Sequence, residues 1–324
     1  MTTTCPICHN ESRLSEQPLD RHLDGGIEYT LWSCSVCSVQ FWLPFKNPGS
    51  AWYEKDERYA GANSKPSPAP TVYHRRTIDF LKPLTGRVLD VGCGTGNFLN
   101  WARQCGWQTV GIDFDRNAVN TAQHFFGLKD VTEAGLTEFA QSNPKPFDLI
   151  TFFDLIEHID NHQVFFQTVY SLLLPRGYIA MSLPCRGGAR FLQPHDLPPR
   201  HLSRWDASSL SHFLARAGFE VLEVKEIQAS WWFVVMKLRF RYGHFVSFDL
   251  VRRVGLRPQT SKPAAANQVQ VKLLPTSKWS SVVHILAKIK DAIIFGLPGF
   301  FLWVYLRLTQ KGKITLFAIA RQKA

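Results

Sequence analysis

Residues 71–228 predict an α/β fold, a parallel sheet covered by helices on both faces, and two observations predict it. Helical and strand patterns alternate through the whole segment, the order expected of βα units feeding one sheet. Within it the apolar run at 88–91 breaks into Gly92, Gly94 and Gly96 and then into a helical pattern, so the local geometry is strand, tight turn, helix start. In chain order "VYHRRTIDFLKPL" reads as helix, "RVLDV" as strand, "NFLNWARQCG" as helix, "QTVGIDF" as strand and "NAVNTAQHFFG" as helix. "VTEAG" then reads as a short strand, "FDLITFF" as strand, "NHQVFFQTVYSLLLP" as helix and "GYIAMSLP" as strand. Ligands of such sheets sit at the carboxyl ends of the strands.

The flanks differ in character. Hydrophobic residues at 45% and charged residues at 19% exclude a disordered chain. "MTTTCPICHN" has neither the basic start nor the apolar stretch of a signal peptide, so the expected compartment is the cytoplasm, where paired cysteines serve as metal ligands sooner than as disulfides. Cys5 and Cys8 form "CPIC", Cys34 and Cys37 form "CSVC", and the intervening residues suffice for a strand, a turn at Asp24-Gly25-Gly26 and the returning strand "IEYTLWS". Two such knuckles make the thiolate cage that Zn²⁺ favours, and four thiolates leave no open position, so the metal is expected to be structural. Residues 1–47 are thus read as a zinc ribbon and 48–70 as a linker ending in "SKPSPAP". A core at 71–230 follows, then a long insertion at 231–311 and a final core strand at 312–324.

The glycine spacing is G-x-G-x-G, not the G-x-G-x-x-G of a dinucleotide site, and Asp90 precedes it. A carboxylate there is a poor neighbour for pyrophosphate and a good one for the ammonium group of S-adenosylmethionine. Asp113 ends the next strand, where an acid can accept from both ribose hydroxyls.

With these residues in place, the sequence resembles the class I S-adenosylmethionine-dependent methyltransferases. "VLDVGCGTGNFL" is similar to their first motif, "VGIDFD" to the second-strand acid, "FDLITFFDLIEHI" to the fourth-strand motif and "LLLPRGYIAMSLP" to the approach to strand five. "HLSRWDASSLSHFLARAGFEVLEV" resembles the passage into strand six, and "KITLFAIARQK" the last strand. The resemblance implies a seven-stranded, Rossmann-like sheet with strand seven antiparallel. It also implies cofactor contacts from Asp90, Gly92, Gly94, Gly96 and Asp113. The cysteine ribbon with its "FWLPF" tail is similar to a subgroup associated with polysaccharide and sugar biosynthesis. "EAGL" departs from the acid that many relatives place next to the adenine.

Methyl transfer is an in-line displacement that needs alignment, exclusion of water and, for an oxygen nucleophile, removal of a proton. "FFDLIEHI" places Asp154, Glu157 and His158 beyond strand four, with spacing that shares one helical face. Three readings stand side by side: Asp154 and His158 line the acceptor pocket with His158 as base; the trio binds a divalent cation such as Mg²⁺, as the similar pattern in quinone O-methyltransferases implies; or the residues only support a helix start. His195 and His201 lie on a Pro-rich loop expected over the same mouth, and His201 resembles the family's loop histidine, a second candidate for acid–base work or acceptor binding.

The net charge of +11 is located in one place. Residues 231–311 carry thirteen Lys/Arg against Asp249 and Asp291, and the rest of the chain is balanced. Val282, Ile285, Leu286, Ile289 and Ile293 recur at helical spacing, and the uncharged run at 292–306 is too short to span a bilayer, which takes about 20 residues. An amphipathic helix followed by a hairpin broken at Pro298 suits a peripheral element on an anionic membrane surface, on the cytoplasmic face. A packed helical subdomain or a dimer interface is the alternative.

The expected activity is methylation of a saccharide or lipid-linked glycan intermediate at the membrane, with a quinone precursor as the alternative acceptor. Nucleic acid is disfavoured as partner, because "FFDLIEHI" stands where base-amine methyltransferases carry an Asn/Asp-Pro-Pro-aromatic motif and because the basic residues interleave with apolar ones. A catalytically silent cofactor sensor is a third reading. Oligomeric state is left open.

Overall fold

The computed structural model describes residues 2–14, 17–49, 52–53, 69–253 and 292–323. The amphipathic pattern at 282–289 and the loop "RPQTSKPAAANQ" lie outside them. Contacts divide the chain into two compact units, residues 1–227 with 313–324, and residues 228–312.

The first unit begins with a two-stranded ladder, β1 (Thr2–Thr4) and β2 (Glu11–Arg13). β3 (Asp20–Asp24) and β4 (Ile27–Ser33) then form a hairpin whose turn is the expected Gly25-Gly26, both at positive φ, and β5 (Gln40–Leu43) adds to β4. Alternating helices and strands follow: α1 (Val72–Leu81), β6 (Arg87–Val91), α2 (Asn97–Gln104), β7 (Gln108–Asp113), α3 (Arg116–Phe126) and β8 (Val131–Glu133). Next come α4 (Leu136–Gln141), β9 (Phe147–Phe153), α5 (His162–Leu172) and β10 (Leu173–Pro184). The unit closes with β11 (Ser203–Arg204), α6 (Ala207–Arg216), β12 (Phe219–Gln228) and, after the insertion, its last strand, Lys313–Gln322.

The main sheet runs in the order β12, last strand, β10, β9, β6, β7, β8, and the last strand pairs antiparallel with β10 while β10, β9, β6, β7 and β8 are parallel. This is the seven-stranded mixed sheet expected from the resemblance. Order reverses at β6, so the crevice opens beside the end of that strand. Period-2 alternation assigns neighbouring side chains to opposite faces. Leu89, Ile150 and Met181 join α5 and α6 in one core, and Val88, Leu149 and Ala180 join α1, α2 and α3 in the other. Ile7, Val39 and Phe41 of the ribbon belong to the first core, so the ribbon is packed on the α5–α6 face of the sheet. β11 pairs with β5, which makes the ribbon sheet four-stranded, with one strand donated by the loop after β10.

Two elements differ from the sequence reading. The helix expected through Pro175 stops at Leu172, because a proline drives its predecessor out of the α region. Leu173 instead opens β10 by pairing with Phe147, and a bulge separates it from Tyr178. α4, six residues long, carries too little periodicity to be read from sequence.

In the second unit, α7 (Trp231–Arg253) and α8 (Leu297–Leu308) are the described helices, and α8 is preceded by a π-helical turn at Ala292–Gly296. The final strand is β13 in chain order. Pro298 sits in the first turn of α8, where its missing N–H costs nothing, so it starts a helix and does not break one. No described helix is long and apolar enough to cross a membrane.

Candidate functional site

The turn after β6 is built by backbone geometry. Gly92, Gly94 and Gly96 have φ of 72°, 51° and 80°, the left-handed region open to glycine. Two of them have different reasons to be glycine. A Cβ on Gly94 would meet nothing within 4 Å, whereas one on Gly96 would stand 2.5 Å from Leu128 and 2.9 Å from Ala122. Gly94 leaves its side of the turn bare; Gly96 lets α2 press against α3. The Gly94 N–H donates to Asp113 Oδ2 at 2.8 Å, and the Asp115 N–H donates to Oδ1 at 2.9 Å. Each oxygen keeps a second lone pair, so a pair of vicinal hydroxyls can still be accepted.

A cleft of about 280 Å³ opens beside this turn, lined by Gly92, Asp113 and Phe114 on one side and by Ala134, Gly135 and Leu136 of the "EAGL" stretch on another. Leu155 and Ile159 complete it, and Leu155 would lie 3.2 Å from a Cβ on Gly92. The apolar walls supply a slot for a flat ring, and Asp113 supplies the polar anchor. Asp90, Gly94 and Gly96 are not among the lining residues. Asp90 lies behind the turn, 2% exposed, where Thr151 donates to it at 2.7 Å. Burial and the neighbouring Asp113 raise its pKa to about 7, despite the Thr151 bond. A larger cavity of about 960 Å³ lies between the ribbon knuckles and α5–α6 and contains none of the expected cofactor residues.

At the end of β9 the geometry departs from the expected helix face. Asp154 has φ of 51° and precedes a single 3₁₀ turn, Ile156–His158, so it does not share a face with Glu157 and His158. Its carboxylate accepts from Ser182 Oγ at 3.0 Å and Tyr73 OH at 3.1 Å. It remains exposed, and can face an acceptor. The residues that do converge are Glu157, His158 and His201, whose ligand atoms all lie within 4.8 Å of one another. The trio expected to hold Mg²⁺ is therefore corrected: His201 takes the place of Asp154.

Both histidines of this cluster are held from behind. His158 Nδ1–H donates to the Arg200 carbonyl at 2.7 Å, and Tyr53 Oη lies 3.2 Å from the same nitrogen. A carbonyl can only accept, so Nε2 carries the lone pair. His201 Nδ1 is bonded to Asp196 Oδ1 at 3.0 Å, and Arg204 Nε donates to the other Asp196 oxygen at 2.8 Å. The rings meet edge to face with centroids 4.8 Å apart. Burial and the charge of His201 push the His158 pKa down to about 3, so this imidazole stays neutral. Asp196 is raised by burial but lowered more by His201 and Arg204, and it stays ionised. Glu157 is 1% exposed, neither of its oxygens has a hydrogen-bond partner among the described residues, and burial pushes its carboxyl well above the usual range. His195 is exposed and outside this cluster.

An unpartnered buried carboxylate facing two imidazoles with pinned Nδ1 atoms fits a divalent cation. Two nitrogens and one carboxylate suit a borderline metal such as Zn²⁺, Mn²⁺ or Fe²⁺ better than Mg²⁺, which prefers oxygen. Sequence reasoning missed Tyr53, Phe114 and Asp196. Phe114 follows the strand-end acid and could have been found from that position. Tyr53 lies in a stretch read as linker, and only tertiary packing brings it against Phe114 and His158, with ring centroids 5.5 and 5.9 Å away.

The ribbon cysteines also converge. Cys5 and Cys37 sulfurs are 3.8 Å apart, as are those of Cys8 and Cys34, and all four lie within 4.8 Å of one another. Tetrahedral coordination with Zn–S bonds of about 2.3 Å gives sulfur separations of about 3.8 Å, whereas a disulfide requires about 2.05 Å. Backbone N–H groups of Ile7, Val36 and Cys37 point at the sulfurs from 3.3–3.4 Å. The cage fits Zn²⁺.

Residues 68–224 match the family model of a methyltransferase domain. Over 121 residues the chain is 33% identical to a ubiquinone biosynthesis O-methyltransferase of Paracidovorax citrulli, covering 36% of this chain and 51% of that protein. Over 104 residues it is 33% identical to the mitochondrial ubiquinone biosynthesis O-methyltransferase of Rattus norvegicus, covering 30% of each. The chain thus spans about half of these relatives, or less. Phosphoethanolamine N-methyltransferase 2 of Haemonchus contortus, solved in complex with S-adenosyl-L-methionine, superposes with a TM-score of 0.51 at 15% identity, covering 94% of this chain and 71% of that one, a likeness of fold. Glycine turn, strand-end acid, sheet order and family match together make residues 68–224 a class I S-adenosylmethionine-dependent methyltransferase domain.

Proposed function

We propose that the chain transfers the methyl group of S-adenosylmethionine to a hydroxyl oxygen of a small acceptor bound over Glu157, His158 and His201. The observation that carries this reading is the pair of imidazoles whose Nδ1 atoms are tied down, leaving both Nε2 atoms for the reacting oxygen. His201 is the better placed base of the two: Asp196 holds its Nδ1, as the carboxylate does in a catalytic triad, whereas buried His158 resists protonation. Asp113 would hold the ribose and the bare face of the Gly94 turn the methionine moiety. The walls at Phe114, Leu136 and Leu155 would exclude water from the displacement.

A second reading is favoured by the orphaned carboxylate. Glu157, His158 and His201 would then hold a divalent cation, whose chemistry is to acidify an acceptor hydroxyl and fix its oxygen. Zn²⁺ in the cysteine cage is structural in both readings.

The proposed acceptor is a saccharide or lipid-linked glycan, consistent with the ribbon subgroup the sequence resembles. A hydroxylated quinone precursor is the alternative and has the support of two ubiquinone-pathway relatives. Labelled cofactor incubated with a vicinal dihydroxyphenol, a saccharide pool and a lipid-linked glycan fraction separates them by which one gains label. Metal analysis and chelator treatment of the same enzyme decide the chemistry. Turnover that survives chelation and dies with His201→Asn supports the base, turnover lost with a stoichiometric ion supports the cation, and label in none of the fractions removes the proposal.

A further inference from the structure

We infer that the α7–α8 hairpin docks the protein peripherally on an anionic lipid bilayer, through two stripes of exposed apolar side chains interleaved with cations.

The stripes follow from helical spacing. On α7, Trp232, Met236 and Phe240 recur every four residues and are 63%, 48% and 78% exposed. On α8, Leu297, Phe301, Tyr305 and Leu308 recur at the same interval or one less, and are 59%, 68%, 52% and 79% exposed. The hairpin has its own interior, since Val234, Val235 and Leu306 are buried and a Cβ on Gly299 would stand 2.6 Å from Val235. The stripes are therefore what remains after the two helices have packed, not a core left open. Large apolar side chains gathered in this way mark an interaction surface.

Charge selects the partner. Residues 231–242 and 294–312 contain Lys237, Arg239, Arg241, Arg307 and Lys311 and no acid. A second copy would bring the same cations against these, and a like-charged pairing is unfavourable. An anionic lipid surface is complementary. The ring-rich composition suits the headgroup layer, where an apolar ring with a polar edge is at home. Arg241 and Arg307 lie over the rings of Tyr242 and Trp303 at 5.9 and 4.9 Å, and helical spacing sets both beside the stripes and not within them, where long cationic side chains can reach a headgroup layer. No described helix is long and apolar enough to span, so the insertion depth is that of an interfacial element.

The proposal names a partner surface for the enzyme proposed above, and its test does not depend on methyl transfer. Full-length protein is sedimented with vesicles of phosphatidylcholine alone and with vesicles containing phosphatidylglycerol, at low salt. The expected result is partition to the anionic vesicles only. Phe240→Ser with Phe301→Ser and Leu308→Ser, and separately Arg239→Glu with Arg241→Glu, should each lower that partition at least tenfold while calorimetric binding of S-adenosylmethionine is kept. Wild-type protein left in the supernatant with anionic vesicles, or variants that sediment like it, would overturn the inference. So would a dimer that fails to bind vesicles and that the triple serine variant dissolves. Absence of calorimetric heat would instead count against the cofactor reading and leave the vesicle result standing.

Discussion

The proposed cofactor turn and the proposed acceptor corner lie next to each other, Gly92 and Leu155 lining one cleft, and are built on opposite principles. The turn is backbone: three left-handed glycines and an aspartate that receives two N–H groups, all supplied by residues 92–115. The corner is side chain: Glu157 and His158 follow β9, His201 and Asp196 come from the loop after β10, and Tyr53 arrives from beyond the ribbon. A site made of backbone tolerates few substitutions at few positions. A site made of distant side chains can change its chemistry one residue at a time, which suits the half proposed to recognise an acceptor.

Substitutions should separate the halves. The largest effect is expected in the corner: His201→Asn should reduce turnover by about 10²–10⁴, the range of a lost acid–base group, with cofactor affinity within twofold of wild type by calorimetry, and Glu157→Gln should match that loss if the trio holds a cation. Equal loss of affinity would merge the two halves. Next, Asp113→Ala removes the proposed acceptor of two ribose hydroxyls, hydrogen bonds to a charged group of the order of 1.5–3 kcal/mol each, so affinity should fall about a hundredfold or more. Unchanged affinity would remove Asp113 from the cofactor site. Gly96→Ala should then destabilise by about 1–3 kcal/mol through overpacking against Leu128 and Ala122. Gly94→Ala, facing open space, should lower melting temperature less and affinity more. The reverse ranking in thermal melts would exchange the roles assigned to these glycines.

The mildest test is a pH dependence. Asp90 has a folded-state pKa of about 7, raised by burial and Asp113 above the ordinary carboxylate value. The folded chain therefore holds this proton more tightly than the unfolded one, and the group's favourable contribution is lost as pH rises from about 4 through 7. Asp90→Asn should raise the melting temperature most at pH 8, by a smaller amount at pH 5, and not at all below pH 4. A cationic cofactor favours the ionised form, so wild-type affinity should tighten across the same interval and the variant's should not.

The same division explains how much could be read from sequence. The alternating sheet, the glycine turn, Asp113 and the ribbon hairpin follow from residues close in the chain or from a repeated strand–helix rhythm, and the antiparallel last strand from the family resemblance. The spacing of Asp154, Glu157 and His158 fits one face of an α-helix. The chain instead makes a left-handed residue and one 3₁₀ turn, which sends the carboxylate to Ser182 and Tyr73 and gives its place to a histidine 43 positions beyond His158. Tyr53 and Asp196 carry no spacing signal, because their roles exist only once the ribbon and the loop have packed. The sequence puts His158 ahead of His201 as base, and the order proposed from the site is the opposite because His158 is buried and His201 less so, which a sequence does not display.

The ribbon contributes a strand edge to the peptide beside His201: β5 pairs with Ser203–Arg204, and the Trp42 N–H donates to the Leu202 carbonyl at 2.9 Å. Oxidising or demetallating the cysteine cage should therefore silence turnover at doses that leave calorimetric binding of S-adenosylmethionine intact. The small module would act as a fuse for thiol stress, and activity restored by reductant with Zn²⁺ would be its signature.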